Sequence, residues 1–283
     1  MSPLRLSRCR WSLLLAGVWL AGVWLAACGG PAAAEPDAPD TAPTAAATSS
    51  TTIDAAAVEP PEAAPPPRLP APKSAQAMPG PDQVWVNAQK GIVLVDGYVS
   101  LNEGLLEMFA CPSGTKEHES IVAVYSRAQI VHAALLAAGA EVGHPVQWDP
   151  KFEPPTGTEI DIEVRWLDEA GQWQTCPAQQ WLYDLNTEKP MAQNWVFAGS
   201  GFWKDEETGK EYYLAEAGDL ICVSNFSSAT LDVPVESSQL NGGLLYEANT
   251  KNIPEIGTPV RLVLKPKLEK RVKGEKKPHS AKP

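Results

Sequence analysis

From about Gly29 to Asp82 the chain reads GGPAAAEPDAPDTAPTAAATSSTTIDAAAVEPPEAAPPPRLPAPKSAQAMPGPD, a run of Pro, Ala, Thr and Ser with scattered acids and few large apolar side chains. Such a segment cannot bury enough apolar surface to offset the chain entropy of folding, so it reads as a disordered tether with polyproline character. That break confines any hydrophobic core to the residues C-terminal to it, about 83–264. This body is long enough for one sizeable core, and it carries Trp85, Trp148, Trp166, Trp173, Trp181, Trp195 and Trp203 without an internal repeat. As a flexible coil, about 50 residues of tether have an end-to-end distance of roughly 40 Å.

The segment before the tether sets the compartment. Arg5, Arg8 and Arg10 precede the apolar run WSLLLAGVWLAGVWLAAC, which has the charged and hydrophobic parts of a secretory signal in the right order. Its end, Leu25-Ala26-Ala27-Cys28, resembles the bacterial lipobox, in which cleavage exposes a cysteine that carries a diacylglycerol. The expected organisation is therefore a lipoprotein signal peptide at 1–27, a tether at 28–82, a folded domain at 83–264 and a basic tail at 265–283. Two acyl chains on Cys28, each methylene contributing about 0.8 kcal/mol, would hold the protein on a membrane. Gly29, where an aspartate would mark inner-membrane retention, directs the expectation to the periplasmic face of the outer membrane.

Charge is segregated along the chain. Lys265 to Pro283 has eight basic residues and two acids, whereas Cys28 to Leu264 has twelve basic residues and 32 acids. An acidic body lacks the clustered cations that phosphate neutralisation requires, which excludes a nucleic-acid partner.

With Cys9 in the signal and Cys28 lipidated, Cys111, Cys176 and Cys222 remain. In an oxidising compartment two of them can pair. The expected pair is Cys111 with Cys222, since both adjoin apolar strand-like runs while Cys176 lies in the polar stretch QTCPAQQ. No C-x-x-C occurs, so neither an iron–sulfur cluster nor a c-type haem has a ligand set.

Within the body, GIVLVDGYVSL (91–101) reads as two short strands around Asp96-Gly97, a strong hairpin dipeptide. ESIVAVY (119–125) reads as a central strand. Ser126 and Gln129 have the spacing of a capping box ahead of AQIVHAALLAAG, which predicts the main helix at about 127–139 with Gly139 after its end. EIDIEVRWL (159–167) alternates as a half-buried strand does, and Asp168 to Gly171 turns the chain back. WVFAGSGFW (195–203), Glu211 to Leu214 and Leu220 to Val223 continue a meander, and PVRLVL (259–264) closes it. The expected fold class is α+β, a mostly antiparallel β-sheet with one main α-helix.

The residues that invite chemistry lie between Cys111 and His144. If the strand begins at His118, then His118, Ser120 and Val122 share a face, while His132 shares a helical stripe with Gln129 and Leu136. Cys111, His118, His132 and His144 are ligand types for a transition metal, although their spacings match no tight zinc signature. Ser200 in AGSGF lacks the first glycine of a nucleophile elbow, and Ser120 is two residues from His118 on one strand. Asp161, Glu163, Asp168, Glu206 and Glu207 lack calcium-loop spacing, and the tryptophans suit a core as well as a sugar platform.

GLLEMFAC (104–111), TKEHES (115–120) and VHAALLAAG (131–139) are similar to signature segments of the YdjY-domain proteins, as are WVFAGSGF and GDLICVSNF. The resemblance covers about Val93 to Leu264. It implies an exported bacterial protein, often lipid-anchored, with no established activity, cofactor or partner. A shared family site would fall on Lys116, His118, Glu119, Ser120 and His132. The resulting expectation is a membrane-tethered extracytoplasmic lipoprotein that acts as a non-catalytic binding or assembly module. Its partner would be an envelope protein or a small ligand. The alternative is a metal-binding protein or metal-dependent enzyme using His118, His132 and Cys111.

Overall fold

The computed structural model describes residues 68–268 apart from 239, 241 and 242. The hydrophobic signal, Cys28, the tether up to residue 67 and the tail from residue 269 lie outside the described residues. No described helix is long and apolar enough to cross a membrane.

The described residues are mostly β with a single α-helix. Its strands are β1 Gln76–Ala77, β2 Val84–Asn87, β3 Ile92–Val99, β4 Met108–Pro112 and β5 Ser120–Val124, followed by the helix α1 Ala128–Ala137. After it come β6 Glu159–Leu167, β7 Trp173–Pro177, β8 Leu182–Asp184, β9 Lys189–Pro190 and β10 Trp195–Val196. The last five are β11 Phe202–Lys204, β12 Glu211–Tyr213, β13 Ile221–Cys222, β14 Tyr246–Ala248 and β15 Pro259–Pro266.

Ten strands form one sheet, seven of them in the order β10-β6-β15-β3-β5-β4-β13 and β1, β2 and β7 off that path. β7 shares an edge of β6 with β10, and β2 shares an edge of β3 with β5, so the sheet branches at both places. Among the described strands only β4 and β5 pair in parallel. β11 with β12 and β14-β8-β9 form two small separate sheets. The helix packs on β2 and β3 through Ala128, Val131, Ala134 and Leu135, all fully buried. Phe109, Trp181 and Trp195 meet with tilted rings in the core, and the indole N–H of Trp195 donates to the Cys222 carbonyl at 2.8 Å.

EIDIEVRWL forms β6 as its alternation predicts, with Ile160, Ile162 and Val164 buried and the acids between them half-exposed. Asp96-Gly97, by contrast, is no turn: β3 runs straight through it. Asp96 is buried and accepts from Arg261 Nε at 2.6 Å and Nη2 at 2.8 Å, so its carboxylate belongs to an ion pair inside the sheet. A β-carbon on Gly97 would collide with the Ala123 carbonyl, so glycine here permits close approach of β5.

The folded part begins earlier than composition suggests. Arg68 lies over the Tyr125 ring at 5.5 Å, Arg261 Nη2 donates to the Pro70 carbonyl at 2.9 Å, and β1 pairs with β2. Residues 68–82, expected within the tether, are thus a strap over the sheet. Pro and Ala contribute little core volume there, and backbone hydrogen bonds with one buried guanidinium hold the segment instead.

The helix begins where the sequence predicts, but its cap is different. Ser126 Oγ donates to the Arg127 carbonyl and makes no capping bond. The free amides of the first turn are met from elsewhere: Asp82 accepts from Arg127 N at 2.8 Å, and Glu216 accepts from Ala128 N at 3.1 Å and Gln129 N at 3.0 Å. Two carboxylates at a helix N-terminus satisfy both its hydrogen-bond donors and its dipole.

Candidate functional site

The polar run Lys116 to Ser120 enters β5 through one turn of 3-10 helix at Glu117–Glu119. That turn changes the expected position of His118, whose side chain is 78% exposed and approaches only Glu119, at 4.0 Å, among the described charges. Ser120, the first residue of β5, is fully buried, and its hydroxyl has no hydrogen-bond partner among the described residues. His118 and Ser120 therefore do not share a strand face.

Lys116 gathers the carboxylates around it. Its ammonium lies 3.0 Å from Asp219, 3.5 Å from Glu119 and 3.9 Å from Glu107, and 4.5 Å over the Phe226 ring. Burial opposes the lysine charge, but these carboxylates, Asp219 foremost, raise its pKa. Burial and the Glu119 charge push Glu107 up despite Lys116. Glu117 accepts from the Tyr98 hydroxyl at 2.9 Å and Gly114 N at 2.7 Å and so closes the preceding turn. The polar character of Lys116-Glu117-His118-Glu119 is thus accounted for by a loop tied to the approach of β13.

His132 occupies a different environment. Its Nδ1 is 2.9 Å from the Tyr213 hydroxyl, and its ring meets Phe197 and Tyr213 edge-on with centroids 4.8 and 5.5 Å away. Tyr213 donates to the Gly199 carbonyl at 3.1 Å and lies 3.0 Å from Thr230 Oγ1. The direction of the His132–Tyr213 bond is set by the imidazole tautomer. Burial holds the His132 pKa below its ordinary value and pushes the Tyr213 phenol up to about 12. Both are neutral at pH 7 and spent on each other.

Ser200 is likewise committed. It has a left-handed φ of 56°, follows Gly199 at φ 89°, and accepts from Ala215 N at 3.2 Å. Gly199 is required because a β-carbon there would run into Val142. Cys111, Cys176 and Cys222 are all free thiols, so the Cys111–Cys222 disulfide is not formed. Cys222 sits opposite Met108, three residues from Cys111, because β13 registers on β4 with a shift. Burial raises the pKa of both thiols. Among the described residues no group of three or more His, Cys, Asp or Glu side chains is placed to hold a metal ion, and His118, His132 and Cys111 do not form one. His144, the fourth candidate ligand, is occupied with the Pro145 carbonyl, 2.9 Å from its Nδ1.

The most unusual surface was not singled out by the sequence. Phe202, Trp203 and Tyr212 of the β11–β12 hairpin are 66%, 54% and 41% exposed. Trp203 stacks beside Tyr212 with centroids 5.6 Å apart, Phe202 meets Tyr213 at 5.2 Å, and Lys210 Nζ lies 4.7 Å over Tyr212. The hairpin borders a cavity of about 400 Å³ lined by Trp203, Tyr212, Tyr213, Leu214, Glu216 and Ala217. Tyr213 links this cavity to His132, and Val142, which abuts Gly199, is itself exposed. The run WVFAGSGFW concealed the feature because it is not one strand: it breaks at Gly199-Ser200 into buried β10 and exposed β11.

A family model described as the YdjY domain matches residues 84–265. No curated protein and no solved structure matches the chain.

Proposed function

The chain belongs to the YdjY-domain family, and from that premise we propose a membrane-tethered extracytoplasmic binding module that meets an envelope protein through the β11–β12 hairpin. The observation that carries the reading is the exposure of the cross-strand pair Trp203 and Tyr212 on one face of a short hairpin next to a concave cavity, with exposed Phe202 paired to Tyr213 on the other face. Contiguous large apolar side chains on the surface of a soluble domain mark contact sites, and Trp and Tyr are enriched at interface centres. The hairpin is supported from behind by the hydrogen bonds of Tyr213 to His132, Gly199 and Thr230, so the rings are presented in a fixed arrangement.

A binding role without catalysis fits the groups beside the cavity. His132 is neutral and hydrogen-bonded, and Ser200 accepts a backbone N–H. No nucleophile–base pair is formed by these groups. A lipid on Cys28 and a tether running to residue 67 would give the module reach from the membrane to a partner.

The experiment is co-purification after chemical cross-linking in cells, comparing the native chain with a variant carrying Phe202→Ser and Trp203→Ser. Both side chains are exposed, so the variant should fold, and partner recovery should fall at least about tenfold, which corresponds to about 1.4 kcal/mol. Equal recovery by a folded variant would remove the hairpin from the account. Intact mass of the same membrane-extracted protein checks the anchor: the expected species begins at Cys28 with a diacylglyceryl group, and an unmodified cysteine contradicts it.

A further inference from the structure

Glu216 stands where two cavities adjoin. One, of about 400 Å³, is lined by Trp203 and Tyr212 of the hairpin together with Leu214 and Ala217. The other, of about 430 Å³, has Asp82, Ser113, Thr115 and Arg127 in its lining. Because the same glutamate lines both, they form one groove that leads from the aromatic pair of the hairpin to the start of α1. Ala128 N at 3.1 Å and Gln129 N at 3.0 Å fix the Glu216 carboxylate in place, and each of its oxygens keeps a lone pair for a further donor.

The hairpin half of the groove favours a cation. Trp203 and Tyr212 are cross-strand neighbours with ring planes 33° apart, and aromatic ring faces, tryptophan above all, attract positive charge. Tyr212 shows this within the chain: Lys210 Nζ lies 4.7 Å over its ring, while Lys210 is not part of the cavity lining. Trp203 has no cation over its ring among the described residues. Between Phe202 and Ala217 there are five carboxylates and two lysines. Asp205 closes the hairpin turn by accepting from Glu207 N and Thr208 N. Glu206, Glu207 and Glu211 are exposed and have no ion-pair partner among the described residues. The acids of β6, by contrast, are matched by Arg165, Lys265 and Lys267. The other half of the groove differs in kind: Arg127, 2.8 Å from Asp82, would repel a second cation, and its polar lining with Ser113 and Thr115 suits the peptide groups of a chain.

We propose that the groove takes an extended segment of the envelope partner, with one lysine or arginine side chain of that segment seated against Trp203, Tyr212 and Glu216 and its backbone continuing past Arg127. The hairpin then selects its partner by a positive charge presented on an extended chain, and not by apolar contact alone. This assignment of the partner's chemistry rests on the reading of the hairpin as the contact face.

Fluorine NMR of the full chain labelled with fluorotryptophan tests it, with the Trp203 resonance identified by its loss in Trp203→Phe. The probes are an acetylated and amidated pentapeptide, Gly-Ser-Arg-Ser-Gly, and the same peptide with citrulline, the neutral isostere, in place of arginine. The arginine peptide should move the Trp203 resonance saturably and leave those of Trp148 and Trp173, exposed elsewhere on the domain, in place. The citrulline peptide should bind at least about tenfold more weakly. Glu206→Gln, Glu207→Gln and Glu211→Gln together, all at exposed positions, should weaken the arginine peptide by at least about threefold. Equal binding of the two peptides, no saturable movement of Trp203 at millimolar arginine peptide, or parallel movement of Trp148 and Trp173 would overturn the proposal. If the peptides fail while altering Phe202 and Trp203 still costs partner recovery in cells, only this inference falls. If the arginine peptide binds as expected and partner recovery is unchanged, the reading of the hairpin as the contact face falls.

Discussion

Asp232 has its entire side chain out of water. Its Oδ1 accepts from Val233 N at 2.8 Å and Asn225 Nδ2 at 3.2 Å, and Oδ2 has no hydrogen-bond partner among the described residues. Burial outweighs those bonds and pushes the pKa up to about 8, against about 3.9 in an unfolded chain. The unfolded state therefore loses its proton first as pH rises. This group's contribution to stability is intact below about pH 4 and is lost progressively up to about pH 8. Asp232→Asn should flatten that slope and raise stability at pH 7 by a few kcal/mol, read from denaturant midpoints between pH 4 and 9. A variant with the native slope, or one less stable at pH 7, would contradict a protonated Asp232. Nothing in the sequence around it, TLDVPV, distinguishes this carboxylate from an exposed one. The same limit applies to Lys116, Glu117 and Glu119: their residue types were legible, but the partners that explain them, Asp219 and Tyr98 among them, come from distant positions.

Elements followed the sequence where local pattern and tertiary demand coincide, as in β6, whose alternation is the burial pattern itself. They departed from it where a distant group intervenes. Asp96-Gly97 has the local preference of a turn, yet Arg261, 165 residues away, binds the carboxylate and the close approach of β5 uses the glycine. This pair also ties β3 and β15 to the strap at Pro70. Arg261→Met leaves Asp96 buried and unpaired, which should cost about 3–5 kcal/mol and increase hydrogen exchange across residues 68–77. Adding Asp96→Leu removes the stranded charge and should restore much of the stability while leaving the strap loosened. A double variant as unstable as Arg261→Met alone would show that the loss comes from packing around the guanidinium, including Trp85 beneath it, rather than from the unpaired acid.

At the scale of the whole molecule, the family match at residues 84–265 falls on the apolar-rich body that composition separates from the Pro and Ala stretch before it. The exposed aromatic hairpin was not legible, because exposure is a property of the assembled fold. Phe202 and Trp203 come from β11 and Tyr212 from β12, while Trp181 and Trp195, identical in type to Trp203, fill the core. A tally of tryptophans cannot separate these roles. The central claim, that this hairpin is where the tethered domain meets its partner, is tested most directly by placing a photo-activatable aromatic residue at single exposed positions in cells and comparing adducts. The account predicts a discrete adduct with one envelope protein from positions 203 and 212 and none from positions 148 and 173, which carry comparably exposed tryptophans elsewhere on the domain. Adducts from 148 or 173 with none from 203 and 212 would contradict it.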